Sequence, residues 1–589
     1  MKKKLTSIIA IVLVAVFAAV GVMISMKEEK QNQNSNEILI SVHNGGYGTA
    51  WAEEAVKEFN KTLDGYYLKV KPEKKSLSEI KSEVKGGYNA AAYFTTSSAF
   101  QDAIQSGMFV DLSDVLTRKV DGETGMMIGE KMYDKTEWLS VASDNDVGCY
   151  SLPYAESLLG FVFDYDYFYD KNFLIFAKND AATKSALTQQ GIVFTESGNR
   201  LVFEESTGAT TLSEGEFIAA AGRDGLYGTY DDGQPNTVAE WQSMINRIFA
   251  TATKDKAFIW TGMYADYVTE IFTSFFAQYI GLDAFNAYLT FDSKGTQIEL
   301  SNGSKTPISI ENGYQVYDMK GLQETMQFMN DYLNNTNYIH GASTENGTAH
   351  KDAQNYYLLG LEESTTNNPT TAMLVEGVWW ENEAKTMFQT IEGKDRPDFK
   401  YGVKDFRYMF LPHLEGSQGL DGNGNGSIIC AKDTGGIFVC NNYSEEVQGI
   451  VKDFIAYTLS DSWLKKFTLM TGAIRPYTHS DFTTQEESQL TNFTKTVFSI
   501  YEDTENVKIV KPNMYRANQP IVYMTSMKKG VDLFPMKSGG VDFTIPLTVL
   551  RRENVTDAVS SLKNFYSPSD WADYVAEARN AGYYKLENN

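Results

Sequence analysis

Residues 38–60 read ILISVHNGGYGTAWAEEAVKEFN. Ile38 to Val42 is a short apolar run, the pattern of a buried strand. Gly45, Gly46 and Gly48 follow, interrupted by Tyr47. Trp51, Ala55 and Phe59 then recur at helical spacing, joined by Ala52 and Val56. The order is strand, glycine-rich turn, helix. Downstream, Tyr66 to Val70 predicts a second strand, and Leu77, Ile80 and Val84 a helix stopped by Gly86 and Gly87. Ala90 to Phe94 predicts a third strand. Phe100, Ala103 and Ile104 predict a short helix ending at Gly107. Strands alternating with helices define an α/β domain with a largely parallel sheet. Ligands of such sheets bind beyond the carboxyl ends of the strands, where the Tyr47 turn lies.

After Pro153 the pattern changes. Leu158 to Asp164 predicts a strand, and Tyr165, Tyr167 and Phe168 crowd the turn behind it. Residues 197–235 form a polar insertion rich in glycine and aspartate. A long helical region is predicted from Thr237 to about Tyr288. Gly422, Gly424 and Gly426 mark a loop, Gly436 to Cys440 a strand and Ser444 to Leu459 a helix. No internal repeat is evident.

At 589 residues the chain has room for three to five ordinary domains or two large ones. Hydrophobic residues are 42% and charged residues 22%, which excludes a disordered, collagenous or polytopic membrane protein. The net charge of −24 makes nucleic acid and anionic lipid surfaces unsuitable partners, because both repel it. Aromatic residues reach 13%, with 35 tyrosines, which suits ligand faces that need flat apolar surface with polar tips, although large cores use aromatics too. Three cysteines, Cys149, Cys430 and Cys440, exclude a disulfide scaffold and a zinc cluster. A Cys430–Cys440 bridge is arithmetically possible; buried thiols acting as small apolar groups are the simpler expectation.

Lys2, Lys3 and Lys4 precede a charge-free stretch whose apolar run extends from Ile8 to Ile24. Residues 1–26 are therefore expected to be an export signal, either cleaved or kept as an N-terminal anchor. A lipoprotein is not expected, since no cysteine follows the run. Residues 27–37 are polar and read as a tether. The remainder is expected outside the cytoplasmic membrane.

The sequence contains no HExxH, P-loop or GxSxG motif, and its five histidines lack ligand spacing. The glycines at 422–426 lack the context of a nucleotide-binding turn. A two-carboxylate glycosidase site remains a formal alternative.

Six segments in order resemble the extracellular solute-binding proteins of ABC importers, the carbohydrate-type family that includes maltose-binding protein. They are the strand–GGYG–helix start of Ile38 to Asn60; Ser151-Leu-Pro with Gly160 to Phe168; Asn236 to Trp241; Ala372-Met373 through Gly377-Val-Trp379; Tyr408 to Pro412; and Phe467 to Pro476. Together they run from Ile38 to Pro476. The chain departs from the family in lacking the lipobox cysteine and in carrying Tyr93-Phe94 where Pro-Asp is usual. Insertions also make it long. The resemblance implies two α/β lobes joined by a hinge that the chain crosses three times, closing on ligand in an interlobe cleft. The first lobe would be 38–153 plus 428–474, and the second 154–427 plus 475–589. The resemblance also implies a carbohydrate ligand, delivery to ABC permease subunits, no enzymatic activity, no required cofactor and a monomer. Two alternatives are a secreted glycan-active hydrolase with an aromatic cleft and a binding protein for peptide or another polar solute.

Tyr47 and Trp51 at the first strand–helix turn are candidate ligand contacts, because sugar C–H faces stack on aromatic rings; Trp51 is equally placed to be core. Glu156 lies where Ala155-Glu156-Ser157-Leu158 resembles the family's "VEAL", and a carboxylate there would accept sugar hydroxyls. The alternative is a hinge residue bonded to backbone. Trp379 and Trp380 follow Gly377; on an extended segment neighbours face opposite ways, so one is expected in the cleft and one in the core. Trp260 and Tyr264 are weaker candidates, their four-residue spacing also fitting helix packing. Asp224, Asp231 and Asp232, punctuated by glycines, offer hard oxygen ligands for a structural Ca²⁺, or else form an aspartate-rich surface turn with no metal.

Overall fold

The computed structural model describes residues 36–511, apart from 88, 97–102, 105, 121–124, 134, 136–137, 142–146, 207–211, 252–253, 265–266 and 393–398, and then 537–538, 541–542, 547, 550–551, 553–564 and 567–580. The predicted export segment, most of the tether and the start of the helix predicted at Phe100 lie outside the described residues. Among the described residues no helix is long and apolar enough to cross a membrane.

The chain divides into two compact units. The smaller comprises residues up to Ala155 with Gly435–Thr471 and Arg475–Asp481; the larger comprises Glu156–Thr434, Gly472–Ile474 and Phe482 onward.

In the smaller unit the first strand, Glu37–His43, buries Ile38, Ile40 and Val42. It pairs in parallel with Tyr67–Glu73 on one side and Ala92–Thr95 on the other. The end of the strand Ser427–Val439 adds antiparallel to Ala92–Thr95, with Ile437 opposite Phe94. The helix Ala50–Phe59 turns Trp51, Ala52, Ala55, Val56 and Phe59 inward, the spacing read from the sequence. Helix Leu77–Gly86 starts at a Ser76–Glu79 capping box, which satisfies two end N–H groups reciprocally. It stops at Gly87, whose φ of 72° needs a residue without Cβ strain. Helices Glu445–Thr458 and Asp461–Thr471 complete the unit. Arg475 and Tyr477 tie the last segment to this core. The Arg475 Nε donates to Tyr154 O at 3.0 Å and the Tyr477 hydroxyl to Pro153 O at 3.1 Å.

In the larger unit, residues of Leu152–Asp164 pair antiparallel with Thr371–Gly377 and with Phe406–Met409. Thr371–Gly377 also pairs in parallel with Lys256–Ile259, and Ser427–Cys430 in parallel with Val507–Val510. The predicted helix from Thr237 to Tyr288 is three helices, Val238–Phe249, Tyr267–Ile280 and Leu282–Thr290, with the strand Lys256–Ile259 after the first. The apolar run Ala257-Phe258-Ile259 has too few residues for periodicity to separate strand from buried helix. The start of the polar insertion supplies the second strand of a hairpin, Ile192–Ser197 with Arg200–Ser206. None of the three cysteines is in a disulfide, and all are buried.

Candidate functional site

Tyr47 and Trp51 belong to one aromatic group in the smaller unit. Trp51 is buried with ring centroids 5.2 Å from Phe467, 5.7 Å from Phe94 and 5.8 Å from Tyr154. The Arg475 guanidinium lies 5.5 Å from its ring. Trp51 is thus a core residue, the alternative its helical spacing allowed. Tyr47 is 6% exposed and packs on Tyr154 and Phe467.

Within the larger unit, Glu156 is buried and its Oε1 pairs with Lys511 Nζ at 2.6 Å. A buried carboxylate requires such a partner, and Lys511 stands too far along the chain for any local pattern to announce it. Trp260 is fully buried and directly follows the strand Lys256–Ile259 rather than lying on a helix with Tyr264; its backbone N–H donates to Ser343 Oγ at 3.1 Å. Trp380 is also core, its ring 4.9 Å from Phe406 and 5.9 Å from Phe493. The pair Trp379–Trp380 does not lie on an extended segment. The strand ends at Gly377, and Trp380 opens the short helix Trp380–Glu383.

Tyr264, His350, Glu383, Gln354, Glu376 and Trp379 form one connected group. The turn carrying Tyr264 is fixed to residue 348. Thr261 Oγ1 donates to Thr348 O at 2.9 Å and Met263 N to the same oxygen at 3.0 Å. Gly262 makes this possible, since a Cβ there would collide with the backbone oxygens of Ala342 and Glu345. Tyr264, 44% exposed, is thereby brought 6.0 Å from the imidazole of His350, the first residue of the helix His350–Glu362. His350 Nε2 lies 3.3 Å from Glu383 Oε1. Gln354, one helical turn on, donates from Nε2 to Glu383 Oε2 at 3.0 Å and to Glu376 Oε1 at 3.1 Å. Glu376 Oε2 accepts the Gly377 N–H at 2.9 Å. Trp379 folds back over Gly377, where a Cβ would fall inside the indole. Its ring meets Tyr267 edge-on at 6.3 Å, and its carbonyl accepts the Glu383 N–H at 3.1 Å.

The electrostatics follow from these contacts. The Glu383 hydrogen bond raises the His350 pKa above its ordinary value. Burial pushes the Glu383 carboxyl up, but the bonds from His350 and Gln354 outweigh it and hold the group below the usual range. Burial raises Glu376 to about 7. The group therefore offers an exposed tyrosine ring and a partly exposed imidazole, backed by a carboxylate and an amide. That is the equipment for stacking on a sugar face and bonding its hydroxyls. Of this group the sequence singles out Tyr264 and Trp379 as candidates, but not His350, Glu383, Gln354 or Glu376. The four-residue spacing of His350 and Gln354 was the only local signal.

The aspartate loop is organised by its own N–H groups. Asp231 Oδ2 accepts from Arg223 N at 2.5 Å, and Asp232 Oδ2 from Gly228 N at 2.7 Å. Asp224 Oδ1 accepts from Leu226 N at 2.8 Å. Among the described residues no group of three or more His, Cys, Asp or Glu is placed to hold a metal ion. These hydrogen bonds fit the turn reading. Burial raises Asp232 to about 8.

These strands and helices make up the fold of solute-binding proteins. A chitin oligosaccharide binding protein superposes with a TM-score of 0.51 at 14% identity, covering 92% of this chain and all of that one. A structure described in terms of xylan utilization by the thermophilic bacterium Caldanaerobius polysaccharolyticus superposes with a TM-score of 0.52 at 11% identity, covering 90% of this chain and all of its own. No family model and no curated protein matches the sequence.

Proposed function

We propose that the protein is a solute-binding receptor that captures a carbohydrate, an oligosaccharide in preference to a single sugar, and delivers it to an ABC-type permease. The observation that carries this reading is the Tyr264–His350–Glu383 group beside Trp379, which pairs ring faces with fixed polar partners. The shared fold with a chitin oligosaccharide binding protein supports it. On this reading the two compact units act as the two lobes, with bounds at Ala155, Gly435, Thr471 and Asp481 in place of those expected from the resemblance, a hinge lets them close on ligand, and Tyr47 contributes from the smaller one. The N-terminal segment exports the protein to the outer face of the cytoplasmic membrane, and the receptor acts as a monomer without a required cofactor.

The test is a thermal-shift screen of the full chain against chito-, xylo-, malto- and raffinose-type oligosaccharides, with chromatography of the recovered sugar. A ligand at 100 times its Kd stabilises by about 2.7 kcal/mol. The expected result is a raised melting temperature with the sugar recovered intact. Shortened glycans would replace the receptor reading with a hydrolase, and stabilisation by peptides alone would replace the ligand class.

A further inference from the structure

A concavity lies wholly within the larger unit and shares no residue with the Tyr264–Trp379 group. Its volume is about 670 Å³, inside the range of about 300–1,000 Å³ usual for small-molecule sites. Arg407 lies in its lining, with its guanidinium 3.5 Å from the centroid of the Tyr165 ring. It donates to Asp405 Oδ2 at 2.7 Å and to Thr229 O at 3.2 Å. Stacking and bonding from three directions fix this planar group and neutralise Asp405.

The remaining lining mixes acceptors, donors and ring surface. Asp166, Asp170 and Glu216 supply exposed carboxylates; Asn492 and Lys495, from the helix Asn492–Glu502, supply donors; Phe217 supplies an apolar face. Each rival ligand class meets an obstacle. A metal ion lacks a ligand set, since no suitable group of three exists among the described residues. An anion meets more carboxylates than cations. A purely apolar ligand would strip water from those charges without replacing its bonds. A neutral polyhydroxylated ring has none of these faults. Its vicinal hydroxyls both donate to carboxylates and accept from the amide and ammonium, and its C–H face covers Phe217.

We infer that this concavity is a second saccharide site. Because every lining residue belongs to one unit, occupancy does not require the two units to close. The inference goes beyond the proposed receptor site and stands on separate residues.

The experiment is hydrogen–deuterium exchange on the full chain with chito-, xylo- and malto-oligosaccharides, each alone at millimolar concentration. Protection of 165–170, 212–217 and 492–499 by at least one sugar is the expected result. In an Asp170→Asn, Lys495→Ala variant, chosen because both side chains are exposed and the fold survives, apparent affinity at these segments falls at least about ten-fold. The same protection persists in Tyr264→Ala. No protection of these segments by any sugar in the panel overturns the inference, as does protection of unchanged affinity in the double variant. Loss of protection in Tyr264→Ala likewise overturns it, because the effect would then originate at the other group. Failure of the receptor reading is seen separately, in 261–264 and 350–354.

Discussion

Trp379 and Trp380 adjoin in the chain and differ in their surroundings, so their alanine variants should separate. Trp380 is enclosed by Tyr357, Phe388, Phe406 and Phe493. Trp380→Ala should cost about 3–5 kcal/mol of stability, read as a lower urea midpoint. Trp379→Ala should instead weaken saccharide binding by about 1–3 kcal/mol, by analogy with truncated anchors at interfaces. That is roughly five- to 150-fold in Kd by calorimetry. Tyr264→Ala should weaken binding with little change in stability, because the ring is exposed. Equal affinity in wild type, Trp379→Ala and Tyr264→Ala would remove both residues from the ligand surface. These roles were only partly legible in the sequence. Adjacency on an extended segment predicts opposite facing for the two indoles, but the strand ends at Gly377 and both are buried, Trp379 at 9% exposure. Which one is core depends on Phe406 and Phe493, both on later elements of the chain, and no local spacing reports them. His350 and Glu383 likewise belong to different helices and meet only in the folded unit.

The loop from residue 222 to 233 shows how an element is set by side chains that replace a sheet ladder. The Asp231 carboxylate fills the space a side chain at Gly222 would need, so Gly222→Ala should destabilise as well as Asp231→Ala. Removing the acceptor of the Arg223 N–H should cost about 1–3 kcal/mol. On the turn reading EDTA should leave the melting temperature of wild type unchanged. A chelator-induced fall absent from an Asp231→Ala, Asp232→Ala variant would select the Ca²⁺ reading instead. Composition marked this stretch as a turn but did not reveal which oxygens bond inward. The opposite holds for the first strand–turn–helix, where a short apolar run, glycines and helical spacing agree and the structure follows them from Glu37 to Phe59. The helical region after Thr237 was misread for a different reason. Thr237 does cap a helix in a box with Glu240, but the apolar residues beyond it serve a strand and two buried helices in turn.

The larger unit as a whole carries a pH dependence. Burial raises Asp232 to about 8 and Glu376 and Glu381 to about 7. The folded unit thus holds protons that the unfolded chain releases near pH 4, at the ordinary carboxylate value. Their stabilising contribution is full below that pH and is lost as pH rises through about 7 to 8. Glu383, held low, acts in the other sense, and its contribution is lost as pH falls through its folded value. The urea midpoint should therefore be lower at about pH 8.5 than at about pH 5.5, and Asp232→Asn should flatten that difference. A midpoint rising over the same interval would show that these groups are charged in the folded protein. The receptor reading adds that ligand should lower the radius of gyration in solution scattering. The buried thiols bear on how such motion is followed. Burial pushes Cys149 and Cys440 up to about 12, which keeps both as the unreactive thiol near neutral pH. Cys430 is buried as well. Maleimide dyes should therefore pass over all three and attach only to cysteines placed on the surface. Lys57→Cys and Val403→Cys provide one anchor in each unit, at side chains already open to solvent. A fluorescent distance sensor can thus be built on the natural sequence, with no native cysteine removed.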